Sequence, residues 1–111
     1  MLESGVKAKV REIFKRHDVA YAHVPGSQFG KAGVGDYICC VAGIYLEVEV
    51  KTTKGKMSEL QKIRGKAIEE AGGIYLVVNE TNLNILEKEI ESIIRHNSLR
   101  SPTLYTAPLY R

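Results

Sequence analysis

The sequence predicts an α/β fold, a mixed central sheet flanked by helices, in the order α-β-β-β-α-β with one extra helix towards its C-terminal end. Three observations predict it. Apolar residues recur at helical spacing in some segments and alternate, or form short unbroken runs, in others. Two strand-like segments are joined only by Ala42-Gly43, which makes them a hairpin. A helical segment then separates the third and fourth strands, and the right-handed crossover of such a β-α-β step sets those strands parallel.

The elements follow in order. Residues 3–17 read as a helix, with Val6, Val10, Ile13 and Phe14 on one face. Residues 19–24 are rich in β-branched and aromatic side chains and read as a strand ended by Pro25. A glycine-rich loop, residues 26–35, is expected to be exposed and mobile, and it lacks the Gly-Lys-Ser/Thr ending of a phosphate-binding P-loop. Residues 36–41 and 44–51 are the hairpin strands. Residues 58–71 form a helix opened by Ser58 and closed by Gly72-Gly73. The apolar run 74–78 is expected to be a strand at a buried central position. Residues 82–97 form the last helix, with Leu83, Leu86, Ile90, Ile93 and Ile94 on one face. Residues 1–97 are thus one domain and residues 98–111 an extended arm.

Composition narrows the function classes. The chain has 111 residues, 44% hydrophobic and 26% charged, which suits one soluble core. No apolar run is long enough to span a membrane, and the N-terminus lacks the apolar stretch of a signal peptide, so a cytoplasmic location is expected, in a bacterial or phage-infected cell. Cys39 and Cys40 point to opposite faces of a strand and are expected to be reduced, buried thiols; no Cys or His spacing suggests zinc. Residues 1–66 carry twelve Lys and Arg against seven Asp and Glu, a net +5, whereas residues 67–111 carry four against six. The basic half suits a polyanionic substrate.

The hairpin carries the sharpest argument. If its turn centres on Ala42-Gly43, Tyr37 faces Val48, Cys39 faces Leu46 and Val41 faces Ile44, which gives one clean apolar face. On the other face Asp36 falls opposite Glu49, with Glu47, Tyr45 and Lys51 on the same side. Directly opposed carboxylates repel each other. A divalent cation removes that penalty, since Mg²⁺ takes one or two carboxylates together with waters and phosphate oxygens. Read singly, each of these residues is an ordinary surface charge; together they form a site.

Gly35-Asp36, the run Leu46-Glu47-Val48-Glu49-Val50-Lys51-Thr52, then Lys54-Gly55-Lys56-Met57-Ser58, Gln61 and Ala71-Gly72-Gly73 resemble the VRR-NUC family, the virus-type replication-repair nucleases of the PD-(D/E)XK superfamily. The likeness spans roughly residues 3–78. One position departs from the pattern: Gly35 stands where the family has a proline before its metal-binding aspartate. The resemblance implies a restriction-endonuclease-like core in which Asp36, Glu49 and the Val50 carbonyl bind Mg²⁺ or Mn²⁺. It implies that Lys51 orients or activates the attacking water, and that the protein is a DNA endonuclease acting on branched repair or recombination DNA such as four-way junctions or flaps. Cutting a junction requires two sites, which a homodimer would present, with the last helix and the arm as the candidate interface.

Supporting residues follow. Glu3 lies on the inward face of the first helix and is a candidate for the helix carboxylate that completes such sites; the alternative is a first-turn acid favoured by the helix dipole. Gln61 occupies the family's glutamine position, while Ser58-x-x-Gln61 is also a capping box. Lys31, Lys54, Lys56, Lys62 and Arg64 are candidates for phosphate contact. His17, His23 and His96 read as structural or surface residues. Two rival readings are a non-catalytic nucleic-acid-binding module on the same fold and a scaffold protein.

Overall fold

The computed structural model describes residues 2–25 and 33–97. Helix α1 (Glu3–Arg16) is followed by strands β1 (Ala20–His23), β2 (Tyr37–Val41) and β3 (Ile44–Val50), helix α2 (Glu59–Glu70), strand β4 (Ile74–Val78) and helix α3 (Leu83–Asn97). The sheet order is β1-β2-β3-β4, with β4 parallel to β3 and the other pairs antiparallel. The α/β architecture with a mixed sheet is therefore as expected.

The hairpin has the register that its apolar pattern demands: Tyr37 pairs with Val48, Cys39 with Leu46 and Val41 with Ile44. Its two-residue turn has positive φ at both positions, 48° at Ala42 and 84° at Gly43. Such primed turns match the right-handed twist of the strands they join. Alanine is an unusual occupant, because its Cβ crowds the left-handed region.

Alternation sorts the sheet into two faces. Tyr37, Cys39, Val41, Leu46, Val48, Val50 and Val78 are buried on one of them, together with Val6, Val10, Ile13 and Phe14 of α1 and Leu86, Ile90 and Ile93 of α3. The rings of Phe14, Tyr21 and Tyr37 pack against one another with centroids 4.8 to 5.8 Å apart. Helix α2 packs on the opposite face, over β4. Its Gly65 lies so close to Tyr75 that a Cβ there would come within 2.9 Å of the ring.

Two expectations are corrected. Strand β4 is at an edge of the sheet, not its centre, and of its residues only Val78 is buried. Its run of apolar residues reflects helices above and below it, which cover both faces but leave the outer edge open. Cys39 is buried, but Cys40 is exposed, because α2 packs over β4, reaches β3 through Gln61 and Arg64, and leaves the outward face of β2 uncovered. Burial, together with Cys40 and Glu47, pushes the Cys39 thiol up to about 12. Lys31, the rest of the glycine-rich loop at 26–32 and the arm at 98–111 lie outside the described residues. Among the described residues, no helix is long and apolar enough to cross a membrane.

Candidate active site

Antiparallel pairing between β2 and β3 stops at Tyr37 and Val48. One residue before β2, the Asp36 carboxylate turns across the gap and its Oδ2 accepts from the Val50 N–H over 2.7 Å. The N–H and C=O of one strand residue leave the strand on the same edge. The Val50 carbonyl is therefore directed to the side on which Asp36 lies, while the next N–H, that of Lys51, turns the other way to the Val78 carbonyl of β4 at 2.9 Å.

Glu49 is only 5% exposed. Its Oε2 accepts from Gln61 Nε2 over 2.8 Å and lies 3.1 Å from the Lys51 ammonium. The Asp36 carboxyl is within hydrogen-bonding reach of it, and burial and Asp36 together push Glu49 up to about 7 against the opposing pull of Lys51. The two acids that the hairpin register sets opposite each other do meet. The loop after Lys51 curls back on it: Gly55 N–H donates to the Thr52 carbonyl over 2.9 Å, and a Cβ on Gly55 would touch the Lys51 side chain at 3.4 Å.

Gln61 forms the expected capping box and also reaches Glu49. Ser58 and Gln61 form a complete capping box at the start of α2, with Ser58 Oγ accepting from the Gln61 N–H over 3.1 Å and Gln61 Oε1 accepting from the Ser58 N–H over 2.9 Å. The same amide group still presents its Nε2 to Glu49.

Glu47 is a residue whose weight the sequence conceals. It is completely buried, yet ionised in a full set of partners. Arg64 donates through Nη2 to Oε1 at 2.9 Å and through Nε to Oε2 at 3.2 Å. The Tyr45 hydroxyl donates to Oε1 at 2.5 Å, and the Gly35 N–H to Oε2 at 2.7 Å. Burial alone would raise the carboxyl, but Arg64, Tyr45 and Gly35 outweigh it and hold Glu47 below the usual carboxylate range. Glycine at position 35 is explained by the same contacts. Proline has no N–H to give Glu47, and a Cβ at Gly35 would stand 2.9 Å from the Val48 carbonyl oxygen. By holding Gly35 and Arg64, Glu47 fixes both Asp36 and helix α2 relative to Glu49.

Glu3 is exposed and does not point into the core; the first buried residue of α1 is Val6, one turn later. Among the described residues, Glu3 is linked to the site through Lys7, whose ammonium lies 3.3 Å from Glu3 and 3.4 Å from Asp36. Lys7 escapes notice in the sequence because it sits among other lysines of an ordinary amphipathic helix. His23 is likewise a site neighbour: it lines, with Lys7, Asp36, Glu49 and Gln61, a cleft of about 260 Å³. Of the basic residues expected to meet phosphate, Lys54 and Lys56 are exposed and Lys62 pairs with Glu59 at 3.3 Å. Arg64 donates through Nε and Nη2 to Glu47 and through Nη2 to the Tyr45 hydroxyl.

Two solved structures share this architecture. One, described as a VRR_NUC domain, superposes with a TM-score of 0.60 at 21% identity, covering 85% of this chain and 95% of the other. The second, described as a VRR_NUC domain protein, gives 0.66 at 22% identity over 86% and 89%. No family model and no curated protein sequence matches the chain. The fold is the α/β fold of these VRR_NUC domains, as the sequence resemblance implies.

Proposed function

We propose that the protein is a divalent-metal-dependent DNA endonuclease, with Asp36, Glu49 and Lys51 at its centre. The observation that carries this reading is the meeting of two carboxylates from adjoining strands, one of them buried, with an ammonium group on the buried one. An all-oxygen donor set of Asp36, Glu49 and the Val50 carbonyl fits a hard cation such as Mg²⁺ or Mn²⁺. The raised Glu49 acid fits as well, because burial and the neighbouring Asp36 disfavour its charged form, which a bound cation would stabilise.

A divalent ion bound there supplies Lewis-acid stabilisation of charge on the phosphate and lowers the pKa of a water. The chain's own residues do the rest. Gln61 fixes the rotamer of Glu49, and Glu47 holds the backbone before Asp36. Lys51, next to Glu49, is positioned to orient the attacking water and to offset negative charge as it develops. Exposed Lys54 and Lys56 extend a cationic path for the DNA backbone. The resemblance to replication-repair nucleases favours branched DNA, and a symmetric homodimer would supply the second site that a two-strand cut requires.

The test is a nicking assay with Mg²⁺ and Mn²⁺ on duplex, single-strand, flap and four-way-junction substrates. Asp36→Asn and Lys51→Ala are expected to lower cutting by about 100-fold or more. Equal cutting by all three proteins would assign the activity to a contaminant, and salt-sensitive DNA binding without cutting would favour a non-catalytic binding module.

A further inference from the structure

Lys7 projects from α1 towards the sheet and not into water; its side chain keeps only 24% of its exposure. It lines the cleft with Asp36, Glu49 and Gln61, and among the described residues of that lining it carries the one ammonium group. The charges pair off one to one: Lys51 lies on Glu49 at 3.1 Å and Lys7 on Asp36 at 3.4 Å. Two acids are thus matched by two ammonium groups, with Glu3 as a second anchor for Lys7 at 3.3 Å.

A divalent cation brings the same double charge to the same two carboxylates. Lys7 and such an ion therefore compete for Asp36, and an ion that wins deprives the Lys7 ammonium of one of its two carboxylates, in a cleft that a phosphodiester must enter. A phosphodiester is an anion that an ammonium can meet as a point charge.

Resting on the nuclease reading above, we propose that Lys7 is a phosphate-binding residue of this site, held in reserve on Asp36 and Glu3 and transferred to a non-bridging oxygen of the DNA when Asp36 takes up the metal. The role differs from that of a structural ion pair in a specific way: removing Lys7 should help the metal and harm the DNA.

The experiment compares wild type with Lys7→Met, Lys7→Gln and Lys7→Arg, with a melting curve for each to confirm folding. Mn²⁺ binding is read by the electron paramagnetic resonance signal of free Mn²⁺, affinity for a labelled duplex by fluorescence anisotropy in Ca²⁺, and KM and kcat by cleavage in Mn²⁺. Lys7→Met and Lys7→Gln are expected to bind Mn²⁺ more tightly, by about tenfold, and the duplex more weakly by a similar factor, with KM raised. Lys7→Arg retains the charge and should rescue DNA affinity. Unchanged or weaker Mn²⁺ binding in both neutral variants, or unchanged duplex affinity, would overturn the proposal. If wild type cuts no DNA, the nuclease reading fails by itself, and the Mn²⁺ and anisotropy measurements still decide the role of Lys7. If wild type binds no Mn²⁺, both readings fail.

Discussion

Gln61 donates to Glu49 across 2.8 Å with the same side-chain amide that closes the cap of α2 on Ser58. One residue thereby couples the start of a helix to the buried acid of the candidate site, and substitutions on either side of that coupling should separate. Ser58→Ala removes one arm of the cap and should cost about 1 kcal/mol in thermal or urea unfolding with little change in Mn²⁺ affinity. Gln61→Ala should cost about 2 kcal/mol, since it also removes a hydrogen bond to a carboxylate, and it should weaken Mn²⁺ binding. Equal metal affinity in the two variants would show that Gln61 serves the helix alone.

Glu49 makes the metal-free protein sensitive to pH. Its folded pKa is raised to about 7 by burial and by Asp36. From the ordinary carboxylate range up to that value, the folded state holds a proton that the unfolded chain has already released. Stability of the metal-free protein should therefore fall as pH rises through this window and level off above it. Glu49→Gln should flatten the profile and melt higher than wild type at pH 8 in the absence of metal. Because the proton must leave before a cation binds, Mn²⁺ affinity should climb with pH up to about 7 and then plateau. A flat affinity profile between pH 5 and pH 8 would contradict this account.

Arg64 and Glu47 form a pair whose separate loss should be severe. Arg64→Met strands a completely buried carboxylate and should destabilise the protein by about 3–5 kcal/mol. Adding Glu47→Gln, which removes the charge but keeps an acceptor for the Gly35 N–H, should recover part of that loss. Lys54→Ala and Lys56→Ala should instead leave stability unchanged, and each should lower the salt-dependence slope of DNA binding by about 1. A loss below 1 kcal/mol in Arg64→Met would mean that Glu47 finds other partners.

The hairpin turn offers a stabilising change. Ala42 holds φ at 48°, a conformation that asparagine tolerates better than alanine. Ala42 is exposed, so Ala42→Asn meets no packing constraint and should add about 1 kcal/mol to unfolding stability. No gain would indicate that the turn relaxes to another form in solution.

The limits of sequence reading fall at identifiable places. The hairpin register was legible because a single step of slippage would have turned Tyr37, Cys39, Leu46 and Val48 to the wrong face. The capping box was legible because Ser58 and Gln61 are neighbours on one helical turn. The partnership of Glu47 with Arg64 was not, because it joins residues of different elements, and a charged residue between two apolar ones looks like an outward-facing strand position. The lateral place of β4 was hidden for another reason: apolar composition reports which faces are covered and says nothing of what lies beside a strand. Lys7 was hidden by ambiguity of direction, since a lysine on the margin of an amphipathic helix can turn to solvent or to the sheet.

Asp36 is also the sheet's last rung. Where β2 gives out, its carboxylate oxygen substitutes for the missing backbone acceptor opposite Val50. A side chain trimmed to a methyl group would unpick that rung as well as the chemistry, and any lost activity would then mix fraying with ligand loss. An amide retains an oxygen for Val50 while surrendering the charge, so asparagine is the substitution that isolates the acid from the architecture it completes.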